Sequence, residues 1–311
     1  IDSIILVYVT SRTCNERKKI TEVMATFCLV SAIFVMIALF EYLKVWLVYT
    51  GFAAVWDIPS QGLYLFRDGA LRAQASAGHS LVLGYLLAIA LGFWLFFKEN
   101  IPSKKYRILG TVGLCAGLVV TLSRGPWLTA LFVYTFYTVL RRGGIIELVK
   151  KVVIAAPFFG LALLTPLGPK IIDKLPFVGS VDSANVEYRQ RLAESSWELI
   201  KANPFFGDPF YQRHLEHMRQ GEGIIDMVNV YASIALLFGV VGLLLFIAPL
   251  AWCIFKAWIK TRSTDSLHSD TSNLGRALVA CMLGTAFFIA TASFIWGVPV
   301  MYYLLIGLAA A

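Results

Sequence analysis

The sequence predicts an all-α, polytopic transmembrane helical bundle with a long, partly helical external loop. Three observations predict it. Hydrophobic residues fill 58% of the 311 positions and charged residues only 15%, where a soluble domain carries about 25% charged residues. Apolar stretches recur at helix-spanning length. Basic residues gather in every second loop. With a mean hydropathy of +0.72, no soluble core of this length could hide so much apolar surface.

Apolar runs mark spans near 22–43, 79–97, 108–122, 126–140, 152–166, 226–253, 277–295 and 297–311, several shorter than the roughly 20 residues a perpendicular span requires. Residues 1–10 read as the tail of an earlier span, and 108–140 as one kinked hairpin with a tight turn at 123–125. The chain starts at Ile1 and stops inside an apolar run at Ala311. It is therefore read as one transmembrane domain, 1–311, incomplete at its ends, with 167–225 as an external loop inserted between spans.

The loops set the orientation. Arg12, Arg17, Lys18 and Lys19 fall in one, and Lys98, Lys104, Lys105 and Arg107 in the next of the same set. Arg141, Arg142, Lys150 and Lys151 follow, then Lys256, Lys260, Arg262 and Arg276, which makes sixteen of the 27 Lys and Arg. By the positive-inside rule these loops are cytoplasmic. Topology thus accounts for the net charge of +8, and nucleic-acid binding, which needs a soluble basic face, is not expected. The five cysteines, Cys14, Cys28, Cys115, Cys253 and Cys281, avoid the external loops, so no disulfide framework is expected.

Arg124, in "TLSRGPWL", is out of place by that rule. At a bilayer centre it would cost roughly 2.5–3.5 kcal/mol; here it sits at an external turn, followed by Gly125 for the turn and Pro126 to open the next helix. A helix N-terminus presents free N–H groups and partial positive charge, so an arginine beside it makes an anion site suited to phosphate. Ser123 belongs to the same corner. The plainer reading is an interfacial arginine reaching for headgroups.

Further candidates lie in the external segments. "RDGALRAQASAGHS" holds Arg67, Arg72 and His79; Arg72 reads as a further phosphate ligand, and His79 equally as an interfacial histidine. "VEYRQRLAESSWELIKANPFFG" reads as a helix of about four turns stopped at Asn203-Pro204. Arg191 aligns with Glu194, Glu198 and Lys201, a solvated ion-pair row. Arg189 aligns with Ala193, Ser196, Trp197 and Ile200, which reads as the packed face and makes Arg189 the better candidate for chemistry. In "GEGIIDMVNVYAS", Glu222, Asp226 and Asn229 lie at the mouth of a span, where a carboxylate is a functional candidate, although Asp226 reads equally well as a helix cap. "HLEH" (His214, His217) supplies two ligands and no third, short of a metal site.

"SRGPWL" in a membrane hairpin, a long external loop with R…P-x-x-G, and then a polar residue with Asn opening a span together resemble the O-antigen ligase and polymerase family, envelope enzymes of the Wzy and WaaL type. The resemblance covers about residues 72–245. It implies a GT-C-like fold in the bacterial inner membrane, with the active site facing outward. The implied donor is an undecaprenyl-diphosphate-linked glycan, and the acceptor a polysaccharide or lipid, with neither cofactor nor essential metal; other polysaccharide-export proteins are possible partners. The spacing from the arginine to P-x-x-G favours Arg189. Ligases carry a histidine just before the asparagine of the last motif; here that position is Val228, so Asp226 or Glu222 is the expected base, and a polymerase is expected over a ligase. The contrasting class is a lipid-glycan transporter, which would line a midplane path with polar groups.

Overall fold

The computed structural model describes residues 2–56, 63–141, 143–165, 183–219, 225–263, 270–295 and 297–311. Helices account for 79% of it. They are α1 (Asp2–Thr13), α2 (Arg17–Lys44), α3 (Val48–Val55), α4 (Ser80–Lys98), α5 (Lys104–Val120), α6 (Arg124–Val139), α7 (Gly144–Leu163), α8 (Ser183–Ala202), α9 (Tyr211–His214), α10 (Val230–Ser263), α11 (Asp270–Ile289) and α12 (Gly297–Ala310). The sheet among the described residues is one hairpin, β1 (Phe66–Arg67) with β2 (Ala70–Leu71). Each apolar run read from the sequence falls on a helix. Among the described residues four stretches are long and apolar enough to cross a membrane: Arg17–Lys44, Ser80–Lys98, Val230–Thr261 and Thr271–Ile289. The chain is an all-α, multi-pass helical bundle.

It divides into two compact units. The first comprises Ile1–Arg142, Ala251–Phe288 and Ile295–Ala311; the second, Gly143–Leu250 and Ile289–Phe294.

In the first unit α4 is the central helix, packed by α2, α5 and α6. It has glycines where neighbours come closest. A Cβ on Gly84 would stand 2.7 Å from Pro126 of α6, and Gly92 faces Val133 of α6 and Cys281 of α11. In α5, Gly117 meets Val35 and Leu87, whereas Gly113 faces open space. Tyr85 of α4 stacks on Phe288 with ring centroids 4.3 Å apart and shares a hydrogen bond with Thr285 at 2.9 Å. At the far end of α4, Glu99 accepts from the Tyr137 hydroxyl and from Asn273 Nδ2, both at 3.1 Å. Arg276 donates to Asn273 Oδ1 and lies over the Tyr137 ring. A buried cation thus reaches a carboxylate through an amide. This chain of contacts joins α4, α6 and α11, consistent with buried charges being retained only with partners.

In the second unit, α10 departs from the single unbroken span that its apolar run suggests. Gly239 has φ 65 and ψ −168, non-helical values inside the helix, available to glycine because it has no Cβ. The break removes the hydrogen bond that Val240 N–H would make to Leu236 O, four residues back. The Pro204–Asp208 segment replaces it: Asp208 N–H donates to Leu236 O at 2.7 Å, and Val240 N–H donates to Pro204 O at 2.8 Å. Val241 N–H donates to Phe205 O at 3.3 Å. Two backbones can come this close because a glycine stands on each. A Cβ on Gly207 (φ 68) would lie 2.5 Å from Leu236 O and 2.6 Å from Gly239 N. This is the structural role of P-x-x-G, Pro204 to Gly207.

Candidate functional site

The first unit gathers arginines at one end of α4. Asp68-Gly69 links β1 to β2 with φ 51 and 76, the pair of positive values of a two-residue type I′ hairpin. Phe66 pairs with Leu71 and Arg67 with Ala70. Alternation then puts Arg67, Ala70 and Arg72 on one face of the ribbon. Both guanidiniums reach the turn between α5 and α6. Arg67 Nη1 donates to Leu122 O at 2.7 Å; Arg72 Nη2 donates to Ser123 Oγ at 2.7 Å, and its Nε to Thr121 O at 3.4 Å. Ala73 N–H donates to Val120 O at 3.1 Å.

That turn occupies 121–123 rather than 123–125, and its left-handed residue is Leu122 at φ 47, not Gly125. A positive φ costs a leucine steric energy, and the arginine bonds to the carbonyls of residues 121 and 122 hold the conformation in place. Helix α6 therefore starts at Arg124, with Ser123 as its N-cap and no side-chain capping bond. Ser123 Oγ is engaged instead with Arg72 and Thr121 O. The helix N-terminus, Ser123, Arg72 and Arg124 are thus assembled in one corner. Burial, and secondarily the Arg67 guanidinium beside it, brings Arg72 down to about 10; it remains a cation at neutral pH. Two like charges held side by side favour an anion.

A residue absent from the sequence reading organises this corner. Glu41, in the last turn of α2, is fully buried. Its Oε2 accepts from Gln74 N–H at 2.9 Å and Ala75 N–H at 2.8 Å, and its Oε1 from Val48 N–H at 3.1 Å. One carboxylate thereby ties α2 to the start of α3 and to the strand exit that carries Arg72. Ala75, at φ 46, is held left-handed by that bond. His79 is the N-cap of α4; its Nδ1 accepts from Leu81 N–H at 3.1 Å.

In the second unit, Asp226 lies in the non-helical 225–229 segment, and α10 begins four residues after it, at Val230. It is not the cap. Asn229 is, with Oδ1 accepting from Ala232 N–H at 3.2 Å, the usual side-chain bond to the third helical residue. Asp226 Oδ1 accepts instead from the Ser293 hydroxyl, and its backbone carbonyl from the Tyr188 hydroxyl at 3.5 Å. Burial raises the Tyr188 phenol above its ordinary value, keeping it a donor. Tyr188 and Ser293 went unnoticed in the sequence because they lie 38 and 67 residues from Asp226. Glu222 falls outside the described residues.

Helix α8 turns a different face inward from the one expected. Leu192 and Ser196 are buried and Tyr188 and Leu199 half-buried, whereas Arg189, Ala193 and Trp197 are exposed. Tyr188, Leu192 and Leu199 pack with Tyr211, Leu215 and Met218, so the apolar stripe runs one position off the line drawn through Arg189. Arg191 pairs with Glu187 at 3.8 Å, with both side chains mostly exposed; its partner lies one turn before it instead of after. His214 pairs with Asp208 at 3.2 Å. Among the described residues no group of three or more His, Cys, Asp or Glu is arranged to hold a metal, and the five cysteines are free thiols.

No curated protein matches the chain significantly. A family model does. Residues 109–247, from α5 through the arginine corner at 121–124, α8 and the Gly239 break, match the model of the O-antigen ligase family (Wzy_C).

Proposed function

We propose that the chain is a membrane glycosyltransferase that polymerises undecaprenyl-diphosphate-linked oligosaccharide repeats at the outer face of the inner membrane. The observation carrying this reading is the arginine corner. Arg67 and Arg72 both bond to the turn before α6, and Arg72 is lowered first by burial and then by repulsion from Arg67. A diphosphate would relieve that repulsion and accept from the helix N-terminus. In this reading Arg72, Arg124 and Ser123 hold the lipid diphosphate and stabilise the charge that grows on it as the glycosidic bond breaks. The role of Asp226, held by the Ser293 hydroxyl, is that of the base that takes the proton from the acceptor sugar hydroxyl, whose oxygen replaces the diphosphate at the anomeric carbon. Arg189, exposed on α8, is a further candidate for chemistry on the second unit. His79 and Arg191 contribute less, being engaged by Leu81 N–H and Glu187.

Orientation follows from the charge bias: loops 98–107, 141–151 and 256–276 are cytoplasmic, and the arginine corner and Asp226 face outward. Val228, where ligases carry histidine, favours polymerase. The second reading is O-antigen-ligase-type transfer of the glycan to a lipid or protein acceptor, favoured by the description of the matching family. A lipid-glycan transporter is less well supported, since the polar groups lie at helix ends and not along a span.

Purified full-length protein incubated with lipid-diphosphate oligosaccharide tests these readings together. A ladder of products is expected. Transfer to a second lipid would make the enzyme a ligase, and movement of intact donor across a vesicle without new linkages would make it a transporter.

A further inference from the structure

The segment that fills the α10 break has a second property. Phe205 and Phe206 are 68% and 78% exposed, and Phe210 is 59% exposed, so three large aromatic side chains point away from the protein within six residues. Their depth follows from the helix they pair with. Residues 230–255 of α10 carry no charged side chain, and a hydrocarbon core of about 30 Å takes roughly 20 helical residues. The break at Gly239 folds the helix back on itself, with the Tyr231 and Phe246 rings 6.3 Å apart across it. The arm that spans is therefore the one after the break, and its uncharged part, residues 240–255, is shorter than that length and must lie in the core throughout. Val240 and Val241, which donate to Pro204 O and Phe205 O, therefore lie at the outer end of the hydrocarbon layer. Irregular backbone is tolerated there only where its polar groups are satisfied by protein, and the exchange of hydrogen bonds across Gly207 and Gly239 does this. Next to Phe205 and Phe206 on α10, Phe238, Val240, Leu244 and Leu245 are also exposed, so the phenylalanines extend a surface that a span necessarily presents to lipid. Three residues beyond Phe210, the Arg213 guanidinium sits 4.5 Å from the centre of the Phe210 ring, the pairing of a cation with an aromatic side chain suited to the boundary between tails and headgroups.

We propose that Pro204–Phe210 is a membrane-embedded corner of the loop, with Phe205 and Phe206 in contact with the acyl chains of the bilayer and Arg213 at headgroup level. The corner anchors α8 and α9 to the bilayer independently of whichever glycan the enzyme handles. It is assigned from the depth of the α10 break and the exposure of the phenylalanines, and does not depend on the catalytic reading above.

Spin labels on single cysteines test it, using the full-length protein without its native cysteines in vesicles of phosphatidylethanolamine and phosphatidylglycerol. Labels at Phe206→Cys and Phe205→Cys should collide with dissolved oxygen far more than with a water-soluble nickel chelate. A label at Gln212→Cys, on exposed α9, should show the reverse, with an oxygen-to-nickel ratio several-fold lower. Preference for the nickel chelate at 205 and 206 would place the corner in water and overturn the proposal. Low collision with both reagents would mean that protein, not lipid, covers it, and would overturn it equally. Phe210→Cys supplies a third position should either of the deeper substitutions fail to yield folded protein.

Discussion

The two units each contain a place where helical hydrogen bonding is interrupted, and they repair it differently. At the α5–α6 turn the open carbonyls of Thr121 and Leu122 are taken by guanidiniums on the β-hairpin. At Gly239 the open groups of α10 are taken by another stretch of backbone. A backbone repair requires glycine on both sides and leaves no donor for anything else. A side-chain repair brings charge with it. Under the proposed function, the arginine that closes the turn at Ser123, Arg72, is also a ligand of the anionic substrate. The first interruption is suited to chemistry and the second to architecture.

Substitutions can break that contrast, and the largest effects belong to the backbone repair. Gly207→Ala and Gly239→Ala each add a methyl group where the other backbone already stands and force an L residue into a left-handed conformation. Each should cost about 3 kcal/mol or more, seen as a marked loss of monodisperse protein and a lower melting temperature in detergent. Glu41→Gln comes next. It places an amide NH2 against backbone donors that now share a buried carboxylate, and should cost about 3 kcal/mol in the same assay. If either change melts like the wild type, the corresponding contact is dispensable.

Smaller in stability but large in rate are the changes at the arginine corner and Asp226. Arg72→Lys and Arg124→Lys keep the charge and lose the planar fork; glycan transfer should fall by roughly 10²-fold or more with little change in melting. Asp226→Asn should lower activity by about 10²–10⁴-fold, whereas Asn229→Ala should cost about 1 kcal/mol of stability, the worth of a cap, at nearly normal turnover. A reversed pattern, with 226 affecting melting and 229 affecting rate, would exchange their roles. The smallest effect belongs to Arg191→Lys. Its exposed pair with Glu187 is worth about 0–1 kcal/mol, and both melting and activity should stay within error of the wild type.

These contrasts also show what the sequence could reveal. Spans were legible because apolar length and flanking charge are local properties, and every apolar run fell on a helix. The Gly239 break was not, since a glycine inside an apolar run looks the same whether or not its hydrogen bonds are intact; only a partner some 30 residues earlier in the chain distinguishes the cases. Arg72 was found by its residue type, but its pairing with Arg67 was signalled only by the Asp68-Gly69 dipeptide, a hairpin marker in a stretch otherwise read as loop. The sequence offers Asp226 as the cap because the helix start is uncertain by a few residues, whereas the structure starts α10 at Val230 and makes Asn229 the cap. The packed face of α8 was drawn through Arg189 by following Trp197, whereas Leu192 carries it; a shift of one position rotates a helix by 100°. Glu41 was hidden inside a run otherwise apolar, where nothing local announces that three backbone donors converge on it.

The repair of α10 also sets an order of assembly on the ribosome. Pro204–Asp208 is synthesised before α10, so its backbone groups are available when the helix first enters the bilayer, and the loop to be closed is short. Ser293, the hydroxyl that holds Asp226, comes 67 residues after it. At about 5–20 residues per second, that is a delay of roughly 3–13 s during which the carboxylate has no Ser293 to meet. The scaffold of the second unit is therefore in place before its carboxylate is oriented, and a nascent chain halted before α11 would carry the Gly207–Gly239 contact without the Ser293 bond to Asp226.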